Sequence, residues 1–252
     1  MGEELHRFPK NKIINLYREK KQGNIMRRFL VMLMFISAFT VESQVNGENE
    51  LGSWYMYFGT NKISNKLSIH TEAQFRYYEQ AKNFNQLLLR TGLNYHFDTN
   101  AWATLGYGYI VTDGTFEEFS NETHLDEHRI FERFFLKNKV WEFNFEHRYT
   151  LEQRFLDFGD RNDVQHRMRY RLQITLPLTN TFFLNFYDEI FINLQDDIFG
   201  QNRLYAALGI NITENTSLQL GYLKNHFSEA NYDRLQIGIT YNPDLMGILK
   251  KK

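Results

Sequence analysis

The chain has 252 residues, of which 42% are hydrophobic and 23% charged, with a formal net charge of -1. That length suits one large domain or two small ones, and so even a charge balance leaves no electrostatic footprint for nucleic acid. Zero cysteines exclude a disulfide framework, a thiolate metal site and a lipidated N-terminal cysteine.

Residues 1–25 are basic, polar and without periodicity, and an ordinary export signal opens at Met26, so they are expected to be a non-native upstream extension. Arg27 and Arg28 precede the apolar run Phe29–Phe39, which gives way to the polar stretch T-V-E-S-Q. A basic start, a short apolar run and small residues beyond it have the form of a secretory signal, and the run is too short for a spanning helix. The signal is placed at 26–43, with Val41 and Ser43 just before the cut. Residues 44–252, opening at Gln44, then form the mature domain.

Ser53–Gly59 alternates Trp54, Met56 and Phe58 against Ser53, Tyr55 and Tyr57. After a turn at Asn61–Asn65 comes Leu67–Tyr77. Here Leu67, Ile69, Thr71, Ala73, Phe75 and Tyr77 face one way; Ser68, His70, Glu72, Gln74 and Arg76 face the other. A period of two is that of an extended strand, and this length is close to the roughly 9–11 residues that a tilted strand needs to cross a bilayer. Gln86–Phe97 repeats the pattern, with Arg90 and Asn94 on the polar face. In Ala101–Val111, Gly106 and Gly108 lie on the inner face and leave room there for large side chains.

His124–Leu136 is harder to phase. Placing Glu127, Arg129 and Arg133 inward leaves Glu132 outside beside Ile130 and Phe134, a conflict that a bulge would resolve. After a turn at Lys137–Lys139, Trp141–Leu151 is regular, with Glu146, Arg148 and Thr150 inward. Val164–Leu176 sets Arg167, Arg169, Arg171 and Gln173 against Met168, Tyr170, Leu172 and Ile174. Phe182–Leu194 puts Asn185, Tyr187, Glu189 and Asn193 inward and strands Asp188 outside, at a bulge or rim. Pairing across the intervening turn at Pro177–Asn180 is expected to set Arg169 opposite Glu189 and Arg171 opposite Tyr187. Arg203–Ile212, Leu218–Phe227 and a last strand ending at Tyr241, with Arg234 and Gln236 inward, complete the set.

Short turns near residues 99, 138, 179 and 214 alternate with polar loops near 117, 160, 198 and 229, as the two ends of an outer-membrane barrel do. The fold class read from this pattern is all-β: an up-and-down antiparallel transmembrane β-barrel of about 10–12 strands, preceded by a signal peptide. An antiparallel barrel closes with an even number, so the ten strands from residue 67 to 241 are expected to close by themselves. Ser53–Gly59 is then extra, or has a partner not visible in the pattern. A soluble barrel would alternate equally. Strand length, loop alternation, the export signal and the arginines crowding one face favour the membrane form.

The runs D-E-H-R-I-F-E-R at Asp126–Arg133, R-M-R-Y-R-L-Q at Arg167–Gln173, Y-D-E-I-F-I-N at Tyr187–Asn193 and Q-N-R-L-Y-A-A-L-G at Gln201–Gly209 resemble an uncharacterised domain-of-unknown-function family. Its members are exported Gram-negative proteins predicted to be outer-membrane barrels. The resemblance covers about Trp54 to Tyr241. It implies the architecture and an outer-membrane location, and no activity, ligand or catalytic residue.

One dense constellation of chemistry-bearing residues falls on the inner face: Glu72, Arg76, Arg90, Glu127, Arg129, Glu146, Arg148, Arg167, Arg169, Arg171, Glu189, Arg203 and Arg234. It reads as a salt-bridged plug closing a structural barrel, or as the lining of a narrow porin-like channel for small polar or anionic solutes. The alternative is a lipid-modifying hydrolase or acyltransferase using a rim histidine, His147 or His166, with His128 nearby. No G-x-S-x-G, H-E-x-x-H or phosphate-loop motif occurs, so no catalytic residue, metal site or cofactor is assigned. The expected partners are membrane lipid, lipopolysaccharide and the outer-membrane assembly machinery, with no nucleic acid.

Overall fold

The computed structural model describes residues 47–116, 124–195 and 197–249. The upstream extension and the signal lie outside the described residues. Eleven strands follow one another: β1 (Leu51–Lys62), β2 (Leu67–Tyr77), β3 (Phe84–His96), β4 (Ala101–Thr112), β5 (Leu125–Val140), β6 (Phe143–Asp157), β7 (Asn162–Pro177), β8 (Phe182–Asn193), β9 (Phe199–Thr213), β10 (Thr216–His226) and β11 (Asn231–Tyr241). They close into a single barrel in which β1 lies between β2 and β11. One helical turn, Met246–Leu249, follows.

The closure corrects the expected one. The strands from β2 to β11 do not close by themselves: β1 pairs with β2 antiparallel and with β11 parallel, from Leu51 opposite Asp233 to Gly59 opposite Tyr241. Directions alternate along the chain, so with an odd number the first and last strands point the same way. Their contact must be parallel, and the barrel is mixed where a wholly antiparallel one was expected. The chain therefore enters at one end of the barrel and leaves at the other. The connections 63–66, 97–100, 141–142, 178–181 and 214–215 lie at the end where it leaves, the turn end. Those at 78–83, 113–124, 158–161, 194–198 and 227–230 lie at the other, the loop end. Only the segment 113–124 is long, so the alternation of short turns and longer loops is milder than expected.

Alternation along the strands makes the barrel mostly polar inside and apolar outside; β1 is the exception, with Trp54, Met56 and Phe58 turned inward. Glu127, Arg129, Arg133, Glu152 and Gln236 are buried, while Leu105 is 61% and Leu220 54% exposed. Large inner side chains fit because small ones lie beside them. A Cβ at Gly106 would collide with the ring of Phe131, its partner on β5, and one at Gly209 with the ring of Phe183 on β8.

Three local expectations also change. β5 continues to Val140, so the tight turn is Trp141–Glu142 and not Lys137–Lys139; Trp141 takes the positive φ, 54°, that the turn requires. Neither Glu132 nor Asp188 sits at a bulge. The β4–β5 and β5–β6 ladders are unbroken, and the irregularity between β8 and β9 falls at Phe191 and Ile192. Both carboxylates face outward and are held by amides: Gln153 donates to Glu132 at 3.2 Å and Asn202 to Asp188 at 2.5 Å. The β7–β8 register sets Arg171 opposite Glu189, Gln173 opposite Tyr187 and Arg169 opposite Phe191, two residues from the expected pairing. Thr179 Oγ1 accepts from the amides of Thr181 and Phe182 and centres the turn one residue later. A slip of two leaves every side chain on its face.

Candidate functional site

The inner face of the barrel is the candidate site. Because β5, β6, β7 and β8 each send alternate residues inward, their ions meet in the lumen. Glu152, wholly buried, is the hub. Its Oε2 accepts from Arg167 at 2.6 Å, and its Oε1 from Arg169 at 2.7 Å and Arg129 at 3.4 Å, with Arg90 at 3.7 Å. Arg169 reaches on to Glu189 at 2.6 Å, which also accepts from Arg148 at 2.6 Å. Arg90 reaches Glu72 at 3.4 Å, and Glu72 holds Arg133 at 3.5 Å and His70 at 3.0 Å. Glu127 binds Arg129 and, at 2.8 Å, Arg154. One continuous network thus spans β2, β3 and β5–β8, and crosses the lumen from β3 to β6. Ions buried so deeply are stable only when paired, and each member of the network has an opposite charge beside it. Among the described residues the Nε groups of Arg90, Arg133 and Arg148 nonetheless have no hydrogen-bond acceptor. Glu146 stands apart with Arg171 at 3.1 Å and Lys137 at 3.4 Å.

Three arginines are held differently. Among the described residues no carboxylate lies within ion-pair distance of Arg76, Arg203 or Arg234; aromatic rings hold them instead. The guanidinium carbons of Arg76 and Arg203 lie 3.8 and 5.0 Å from the Trp54 ring centre, and Arg203 is also 4.6 Å from Phe191. Arg234 lies 4.7 Å from Tyr232 and 5.8 Å from Tyr78. Arg76 donates only to neutral amide oxygens, of Gln74 and Gln86. Above them, burial pushes the Tyr78 phenol up to about 12, which keeps its hydroxyl a donor, 3.1 Å from the Asp113 carbonyl.

Two cavities occupy the lumen. One of about 280 Å³ opens toward the loop end, and one of about 330 Å³ toward the turn end. Trp54, Arg76, Arg90, Arg169 and Arg203 line both, and form the partition between them. Lining the two cavities are eleven arginines and Lys137 and, with buried Glu152, five glutamates, an excess of seven positive charges (12 − 5) among the described residues.

The family model described as a protein of unknown function, DUF2490, matches residues 51–236, from the first residue of β1 into β11. The chain belongs to that family. No curated protein and no solved structure matches it.

All thirteen candidate residues of this DUF2490 barrel line its interior. Three ions that belong with them were not in the expected set: Arg133, Glu152 and Arg154. The alternation of β6 continues through Glu152, Arg154 and Leu156, past the expected strand end at Leu151, and following it would have found the hub. The apolar inner side chains Leu88, Ile110, Phe131, Phe191 and Leu223 were likewise invisible, since an apolar residue on a polar face breaks the pattern. The histidines His128, His147 and His166 face outward or to the rim. His147 Nδ1 pairs with the Tyr170 hydroxyl at 2.8 Å and His166 Nδ1 with the Gln195 amide at 2.7 Å; among the described residues neither ring bonds a serine or a carboxylate.

Proposed function

We propose that this DUF2490 chain is an outer-membrane β-barrel, inserted from residue 44 after removal of an export signal, whose lumen is closed by its own ions. The observation that carries the reading is the inversion of the barrel, with apolar side chains on the outer face and charge within. A water-soluble barrel gains by burying its apolar face, whereas a lipid-facing one needs that face outside. The strands are long enough. Eleven residues in β2, at roughly 3.3 Å each and tilted by about 40°, rise about 28 Å, against an apolar band of about 25 Å. Outward Glu132 and Asp188 oppose insertion, but carboxylates cost less than basic groups there, and each has an amide partner. On this reading its partners are membrane lipid and lipopolysaccharide, with the outer-membrane assembly machinery for insertion.

The Glu152 network and the partition between the cavities favour a closed structural barrel over a passive route. The excess of arginine favours anions in any leak that does occur. The enzyme alternative needs a serine or an acid beside a rim histidine, and the partners of His147 and His166 are the Tyr170 phenol and the Gln195 amide. Fractionation of cells and planar-bilayer recording of the purified chain test the proposal together. Recovery with outer membranes and no steady conductance is expected. Recovery as a soluble protein without detergent would overturn the membrane placement, and steady large openings would overturn the closed lumen.

A further inference from the structure

The loop-end cavity is lined by eight arginines and a single carboxylate, Glu127. Five of those arginines are spent on Glu127, Glu152, Glu72 and Glu189, as described above. Arg76, Arg203 and Arg234 keep uncompensated charge. Arg203 lies opposite Glu189 across the β8–β9 ladder, yet Glu189 Oε1 is taken by Arg148 and Arg169. Among the described residues Arg203 makes no hydrogen bond, and its buried Nε has no partner. The indole N–H of Trp54, a residue only 4% exposed, is also unpartnered. A buried donor without an acceptor loses free energy unless something occupies the space before it. Ring contacts hold the guanidinium planes in place; Arg76 gives its N–H groups to the Gln74 and Gln86 amide oxygens and Arg234 to the Glu50 and Asp233 carbonyls, all neutral acceptors, while the Arg203 guanidinium is left with none.

We propose that the loop-end cavity binds a compact polyvalent oxyanion, a phosphate or small phosphoester, at Arg203 and the neighbouring Arg76, with Arg234 adding to the positive field of the cavity. Guanidinium forks match oxyanion edges in pairs, which a halide cannot exploit, and three uncompensated charges select a polyvalent ligand over a monovalent one. A volume of about 280 Å³ admits a small solute and no more. The cavity lies within the lumen, so the ligand is a freely diffusing ion entering from the loop end and not a lipid headgroup. The inference rests on the closed lumen proposed above and is independent of membrane placement.

Calorimetric titration of pyrophosphate, inorganic phosphate and chloride into the full chain, folded in uncharged detergent micelles, tests it. Saturable binding of one pyrophosphate per chain is expected, tighter than phosphate and far tighter than chloride, with a rise in the thermal midpoint. The double variant R76Q/R203Q should weaken it at least tenfold. Arg161→Gln, an exposed charge in the connection 158–161, should change it less than twofold. Should the double variant fail to fold, Arg203→Gln alone, which deprives no carboxylate of a partner, should weaken binding several-fold. No saturable pyrophosphate binding, equal loss in Arg161→Gln, or binding only to micelles doped with a phosphate-headgroup lipid would overturn the proposal. An absence of binding in a barrel that still fails to conduct would leave the closed lumen standing and remove the ligand alone.

Discussion

The two walls of the lumen solve one problem in different ways. On β5–β8, arginines are neutralised by carboxylates, and Glu152 alone touches three of them, with Arg90 of β3 as a fourth. Toward the parallel seam, Arg76 of β2, Arg203 of β9 and Arg234 of β11 have ring contacts and, among the described residues, no carboxylate, whereas Arg133 and Arg169 of the other wall have ring contacts as well as carboxylates. The paired wall gives up hydration for ion pairs. The seam wall keeps its charge available. A barrel that needed only to be plugged would gain from carboxylates on both.

The largest effect should come from breaking the paired wall. Glu152→Gln leaves Arg90, Arg129, Arg167 and Arg169 with less countercharge in a buried site, and removing one partner of a buried pair costs about 3–5 kcal/mol. Urea unfolding of the chain folded into lipid vesicles should show that loss. A change within error would mean the network is hydrated and contributes little.

Behind both walls the outer surface should behave alike. Leu172→Arg, behind the paired wall, and Leu220→Arg, near the seam, should each cost about 2–4 kcal/mol in bilayers, whereas Gln173→Arg, which faces the turn-end cavity, should cost less. Equal costs at residues 172 and 173 would contradict the assigned faces.

A smaller effect would make the seam wall resemble the other. Gln86 Oε1 accepts from Arg76 at 2.6 Å, so Gln86→Glu turns that contact into an ion pair. A gain of about 1 kcal/mol is expected, since charge-assisted hydrogen bonds exceed neutral ones by roughly that amount, together with weaker pyrophosphate binding. Smallest should be Arg203→Gln. No carboxylate loses its partner, and the change in stability should stay within about 0.5 kcal/mol. A loss as large as that of Glu152→Gln would erase the distinction between the walls.

Which face each strand turns inward was legible because parity survives almost any error: the two-residue slip between β7 and β8 moved Arg169 from Glu189 to Phe191 without turning one side chain over. Arg169 even kept its carboxylate, reached diagonally. Closure was not legible. The β1–β11 contact joins residues far apart in the chain, and a parallel pairing leaves no turn or spacing to read. Nor could alternation separate arginines held by carboxylates from those held by rings, because parity gives the face of a side chain and not the partner it reaches, which in Arg203–Trp54 and Arg90–Glu152 lies across the lumen. Trp54, the residue around which Arg76 and Arg203 gather, sits in the segment that had seemed superfluous.

That apolar side chains on the outside meet lipid is the central claim, and the chain offers a direct test because it has no native cysteine. Spin labels placed singly at Leu105, Leu172, Leu204 and Leu220, and at Gln236 inside, would report collision with oxygen and with a water-soluble nickel complex after folding into bilayers. The account predicts high oxygen and low nickel access at the four outer positions and low access to both at Gln236. Nickel access at the outer positions as high as at the exposed loop residue Arg161 would contradict it.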